Sequence, residues 1–77
     1  MAIGFILINT APGHEYEVYN KLSKIQEIIE IHSLFGEFDI IVKIESKDFE
    51  ELRNIVVNKI RIIHGLIDTK TLTGTKF

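Results

Sequence analysis

The chain has 77 residues, a formal charge of −2 and 45% hydrophobic residues, enough for one small folded domain and too apolar for a disordered segment. It contains no cysteine, which excludes disulfides and thiolate metal sites. Acidic and basic residues are interspersed, so there is no basic stripe for nucleic acid. There is also no polybasic run or long apolar segment for a membrane, and no charged n-region of a signal peptide. These features point to a cytoplasmic protein.

"AIGFILIN" (2–9) is an unbroken run of β-formers and predicts a strand buried on both faces, with Ile3, Phe5 and Leu7 on one side and Ile6 and Ile8 on the other. Pro12 and Gly13 end it. From His14 the spacing becomes helical: Val18, Leu22 and Ile25 share a face, predicting a helix over about 14–25. "EIIEIHSLF" (27–35) predicts a second strand, Gly36 and Glu37 a turn, and "FDIIVKIE" (38–45) a third strand, antiparallel to the second. Alternation puts Phe38, Ile40, Val42 and Ile44 on one face and Asp39, Ile41, Lys43 and Glu45 on the other.

A second helix follows. Asp48 and Glu51 have capping-box spacing, with Ser46 as a competing cap, and Phe49, Leu52, Val56 and Ile60 form the apolar stripe. Gly65 closes that region, and "LIDTKTLTG" (66–74) predicts a fourth strand. The order βαββαβ with right-handed crossovers gives an α+β, ferredoxin-like sandwich: one antiparallel four-stranded sheet with two helices on one face. The first strand is apolar on both sides, and two helices cover only one. A second copy, packed sheet against sheet, is the expected cover.

"APGHEYEVYNKL", "IHSLFGEFDIIVKI" and "DFEEL…NKIRIIHGLIDTKTLT", in that order, resemble the effector-binding domain of the leucine-responsive regulator/AsnC (Lrp/AsnC) family, also called the RAM domain. The most specific piece is the Gly-x-[Tyr/Phe]-Asp turn, here Gly36, Glu37, Phe38 and Asp39. Pro12 and Gly13 before the first helix and the threonines Thr69 and Thr71 of the last strand support it. The resemblance covers nearly the whole chain and implies a single ligand-binding domain over 1–77 without the family's helix-turn-helix, hence no direct DNA binding. It further implies a non-enzymatic amino-acid sensor that forms dimers and higher rings such as octamers, and that modulates transcription by associating with full-length regulators.

The ligand site that the resemblance implies lies between dimers at Ser33, Leu34, Gly36, Glu37, Phe38 and Asp39, with Thr69 and Thr71. Chemically, a glycine allows close backbone approach, and Asp39 offers an acceptor for an ammonium group. The plainer reading is a turn glycine and an aspartate that bonds the turn backbone. No cofactor, metal ligand or catalytic residue is expected. His14, His32 and His64 fall in three separate elements without ligand spacing, and read as structural or solvated histidines. Two other functions fit a chain of this kind: a small dimeric ferredoxin-like enzyme of monooxygenase or isomerase type, and a purely structural assembly subunit.

Overall fold

The computed structural model describes residues 1–74. Four strands, β1 (Ala2–Thr10), β2 (Ile28–Ser33), β3 (Ile40–Ser46) and β4 (Leu66–Thr73), form one sheet in the order β2-β3-β1-β4, with every neighbouring pair antiparallel. Helix α1 (Glu15–Leu22) links β1 to β2, and α2 (Phe49–Ile55) leads through a π-helical turn (Val56–Ile60) toward β4. This is the expected ferredoxin-like βαββαβ arrangement.

Period-two alternation sorts the two central strands. Ala2, Ile6 and Ile8 of β1 and Ile40, Val42 and Ile44 of β3 are buried against Val18 and Leu22 of α1 and Leu52, Ile55, Val56 and Ile60 beyond β3. Gly4 belongs to this face and lets α2 approach: a Cβ there would lie 2.8 Å from Leu52 Cδ1. The opposite face carries Ile3, Phe5, Leu7, Ile41 and Leu72. Phe5 and Leu72 remain 37% and 47% exposed on this surface, which no element covers among the described residues.

The helices differ in detail from their sequence pattern. Helix α1 stops at Leu22 because the next amides turn back three residues, Lys24 N–H to Lys21 O and Ile25 N–H to Leu22 O. Ile25 still packs against the core from that turn. Asp48 is the cap of α2: its Oδ1 accepts from Glu51 N–H at 2.8 Å, while Ser46 Oγ donates to Asp48 O. Phe49 is not part of the buried stripe; it is 56% exposed, and Ile55 is buried in addition to Leu52, Val56 and Ile60. The π-helical turn, closed by Arg61 N–H to Val56 O at 2.9 Å, has no signature in the residue spacing.

The β2–β3 connection is also longer than a two-residue hairpin. β2 ends at Ser33 and β3 begins at Ile40, leaving a six-residue loop, 34–39, closed by Leu34 N–H to Asp39 O at 2.8 Å. Phe38 and Asp39 therefore precede the strand, and its alternation does not govern them. Phe38 is half-buried and outside the core rather than in line with Ile40 and Val42.

Candidate functional site

Three connections meet at one end of the sheet: 11–14 after β1, 34–39 before β3, and 61–65 before β4. Each holds a glycine with positive φ, Gly13 (86°), Gly36 (155°) and Gly65 (93°), where the chain reverses in conformations that side chains with a Cβ rarely adopt. Ala11 N–H donates to Gly65 O at 2.8 Å, tying the first connection to the third. Exposed apolar side chains gather on these connections: Leu34, Phe35 and Ile62, with Ile67 at the start of β4.

Asp39 ties the second connection to the end of β1. Its Oδ2 accepts from Thr10 N–H at 2.8 Å and from Thr10 Oγ at 3.1 Å, and its own N–H donates to Ile8 O at 2.9 Å. The carboxylate is thus turned toward Thr10 rather than carried on the open face with Ile41 and Lys43, and it bonds β1 rather than the turn's own backbone. Its other oxygen, Oδ1, accepts no hydrogen bond among the described residues and is not sealed from solvent. One oxygen builds the fold and the other is free to meet a donor. Above Gly36 there is open space, with nothing within 4 Å of where a Cβ would stand, so a ligand could approach its backbone closely.

The eight expected site residues do not all converge within one chain. Ser33, Leu34, Gly36, Glu37, Phe38 and Asp39 lie within one short stretch, 33–39. Thr69 lies on the same sheet row as Ser33, in the order Ser33, Ile40, Ile8, Thr69, but three strand spacings away, about 14 Å. Thr71 pairs with Ile6, one row further from the loop. These threonines sit on the edge strand at the opposite side of the sheet from β2, apart from the loop. A concavity of about 590 Å³ is elsewhere again. It lies at the far end of the sheet among Met1, Gln26, Glu27, Ile29, Glu45 and Glu51. It is wide open, with Ser46 and Lys47 also on its wall, and such an open depression encloses a small ligand poorly.

Two charge clusters flank the sheet. On the open face, Glu30 takes His32 Nε2 at 3.3 Å and Lys43 Nζ at 3.5 Å, which together hold its carboxyl below the usual range. Lys43 Nζ also stands 5.8 Å from the centre of the Phe5 ring, a cation–π contact at the middle of that face. At the loop end, His14 Nδ1 meets Glu17 Oε1 at 3.0 Å, and this bond, with Lys21 nearby, keeps the Glu17 carboxyl low. The His14 and His64 rings meet edge to face with centres 5.4 Å apart, a pairing of residues fifty positions apart that their sequence spacing gave no sign of. Among the described residues no group of three or more histidine, cysteine or acidic side chains could hold a metal ion. No helix among them is long and apolar enough to cross a membrane.

The chain is thus a ferredoxin-like βαββαβ unit with one apolar sheet face uncovered among the described residues and glycine-bearing connections at one end. The chain belongs to the Lrp/AsnC ligand binding domain family, whose model matches residues 3–75. It is 39% identical over 74 residues to the HTH-type transcriptional regulator FL11 of Pyrococcus furiosus, covering 96% of this chain and 48% of that protein. The chain thus spans about half the length of the curated relatives it matches. Among solved structures, FFRP-DM1 superposes with a TM-score of 0.92 at 36% identity, covering 97% of this chain and all of that one. A transcriptional regulator from Neisseria meningitidis, solved as a complex with L-Met, shares the fold at 19% identity and a TM-score of 0.86, over 97% of this chain and 50% of that one.

Proposed function

We propose that this chain is a homo-oligomeric, non-enzymatic sensor domain that binds a free amino acid at the loop end of the sheet and passes that binding on as a change of assembly. The observation that carries the reading is the ligand-binding family match across residues 3–75. Loop 33–39 supplies fitting chemistry. Asp39 Oδ1 is free for the ammonium, and the backbone beside Gly36 is open to the carboxylate. The Neisseria meningitidis regulator solved as a complex with L-Met shares this fold, which supports the reading.

Dimerisation through the open face is part of the same reading. Ile3, Phe5, Leu7, Ile41 and Leu72 make a contiguous apolar patch on a domain too small to leave it wet at no loss of stability. Contact between dimers is what would bring Thr69 and Thr71 of one copy to the loop of another. Ligand and assembly are then linked, because an amino acid that binds one oligomer better shifts the population toward it. Association with full-length regulators of the family would carry the signal to DNA.

A thermal-shift screen of the 77-residue chain against the twenty amino acids tests the proposal. A few chemically related amino acids should raise the melting temperature in a concentration-dependent way. No shift with any of the twenty would defeat it and favour an assembly subunit.

A further inference from the structure

We propose that Thr10 is the positioning residue of the amino-acid site: its hydroxyl locks the plane of the Asp39 carboxylate and so holds Oδ1 in place for an ammonium group. The inference rests on the reading above that an amino acid binds beside Asp39. It adds a residue outside the 33–39 loop, on β1 and 29 positions from Asp39.

A carboxylate turns easily about its bond to Cβ, because that torsion has only broad preferences. One hydrogen bond leaves much of this freedom in place. Here a single oxygen, Oδ2, accepts twice, from Thr10 N–H at 2.8 Å and from Thr10 Oγ at 3.1 Å. Two donors from one residue fix the group about that bond. Oδ1 accepts nothing among the described residues. The bonds that occupy one oxygen therefore set where the other stands. An ionised carboxylate only accepts, so the free oxygen calls for a donor such as an ammonium.

Thr10 is a rigid support for this task. It is buried at the end of β1. Regular pairing of β1 with β3 ends at Ile8–Ile40, and beyond it both donors of Thr10 go to the carboxylate. On the β4 side the pairing slips from Asn9–Asp68 to Thr10–Leu66, an irregularity of the kind that re-aims side chains. The next amide, Ala11 N–H, is tied to Gly65 O at 2.8 Å. The branched threonine side chain itself has few rotamers. The loop that carries Asp39, in contrast, is exposed from Leu34 to Glu37, so the carboxylate takes its orientation from β1. A group held this way has less freedom to lose when a ligand arrives.

The two donors separate fold from binding. The Thr10 N–H ties the loop, and no side-chain substitution removes it. Thr10→Val keeps branching and deletes only the hydroxyl, Thr10→Ala deletes it without placing a methyl beside the carboxylate, and Thr10→Ser keeps it. Titration calorimetry of the native chain and the three variants with each of the twenty amino acids tests the role, with unliganded melting temperatures alongside. Thr10→Val and Thr10→Ala should bind about three- to tenfold more weakly than the native chain, the worth of one hydrogen bond, and Thr10→Ser should bind like the native chain. If Thr10→Val does not fold, Thr10→Ala carries the test. A purely structural role would make affinity follow the melting temperatures and not the presence of the hydroxyl. Native affinity in the hydroxyl-free variants, or a Thr10→Ser chain as weak as they are, would overturn the role of Thr10 while leaving the amino-acid reading intact. Failure of the native chain to bind any of the twenty would overturn that reading and the role of Thr10 with it.

Discussion

Removing the Asp39 carboxylate should loosen the loop end measurably. In Asp39→Ala two acceptor contacts vanish, from Thr10 N–H at 2.8 Å and from Thr10 Oγ at 3.1 Å. Thr10 is 7% exposed, so water reaches its freed amide poorly. A hydrogen bond to a charged group contributes about 1.5–3 kcal/mol. The hydroxyl can rotate to another acceptor, so its loss adds little, and the expected destabilisation is about 2–3 kcal/mol. For a domain of this size, whose whole stability is on the order of 4–12 kcal/mol, that is a large fraction. It corresponds to a fall in melting temperature of roughly 10–20 °C. Asp39→Asn keeps a carbonyl acceptor in place and should cost only about 1 kcal/mol. Differential scanning calorimetry without ligand reads both. If Asp39→Ala melts within about 2 °C of the native chain, well under 1 kcal/mol, the Thr10 tie does not hold the loop as described.

Other expectations follow from the same geometry. Leu7→Asp puts a charge in the apolar open face, and sedimentation should show the native chain as a dimer or larger and the variant dissociated or unfolded; a native folded monomer of 8.9 kDa would contradict the dimer. Gly13→Ala should destabilise by about 1–2 kcal/mol, the left-handed backbone alone. Gly65→Ala should be clearly worse, because its Cβ also meets His14 at 2.8 Å whereas nothing lies within 4 Å at Gly13; equal denaturant midpoint shifts would show that the His14 contact carries no strain. The Lys59 hydrogen bond to Glu27 at 2.6 Å holds that carboxyl below its ordinary value of 4.5. Its contribution is therefore fully present above that value and lost as pH falls through the depressed one. The stability gap between native chain and Glu27→Gln should be flat near neutrality and close in acid; a gap that widens on acidification would contradict the pairing.

The sheet was legible in the sequence because its signals are local. The period-two alternation of Ile40, Val42 and Ile44, and the doubly apolar run through Ile3, Phe5 and Leu7, need no knowledge of distant residues. The cap at Asp48 was visible for the same reason, although only the observed bond to Glu51 N–H separates it from Ser46. What stayed hidden depends on contacts between distant segments. Alternation carried two residues too far assigned Phe38 and Asp39 to strand faces, whereas the tie to Thr10, 29 positions away, takes Asp39 out of that pattern. The π-helical turn and the His14–His64 pair have no periodic signature either. Of the candidate site, the contiguous loop could be read from Gly36 and Asp39. The separation of Thr69 and Thr71 from that loop could not, because it follows from the sheet order β2-β3-β1-β4, which has no local signal.

The central claim is that an amino acid binds at the 33–39 loop and shifts assembly. Its most direct test is calorimetric titration of the best amino acid from the screen into the native chain, Asp39→Asn and Gly36→Val, with sedimentation of each with and without ligand. Binding by the native chain should change its sedimentation. Asp39→Asn should keep the dimer and bind about 1.5–3 kcal/mol more weakly, through loss of the charged contact to the ammonium. Gly36→Val should bind worse still, its side chain closing the approach to the backbone. Affinity and assembly that stay at native values in both variants would contradict the claim and leave the stretch as a connection between two strands.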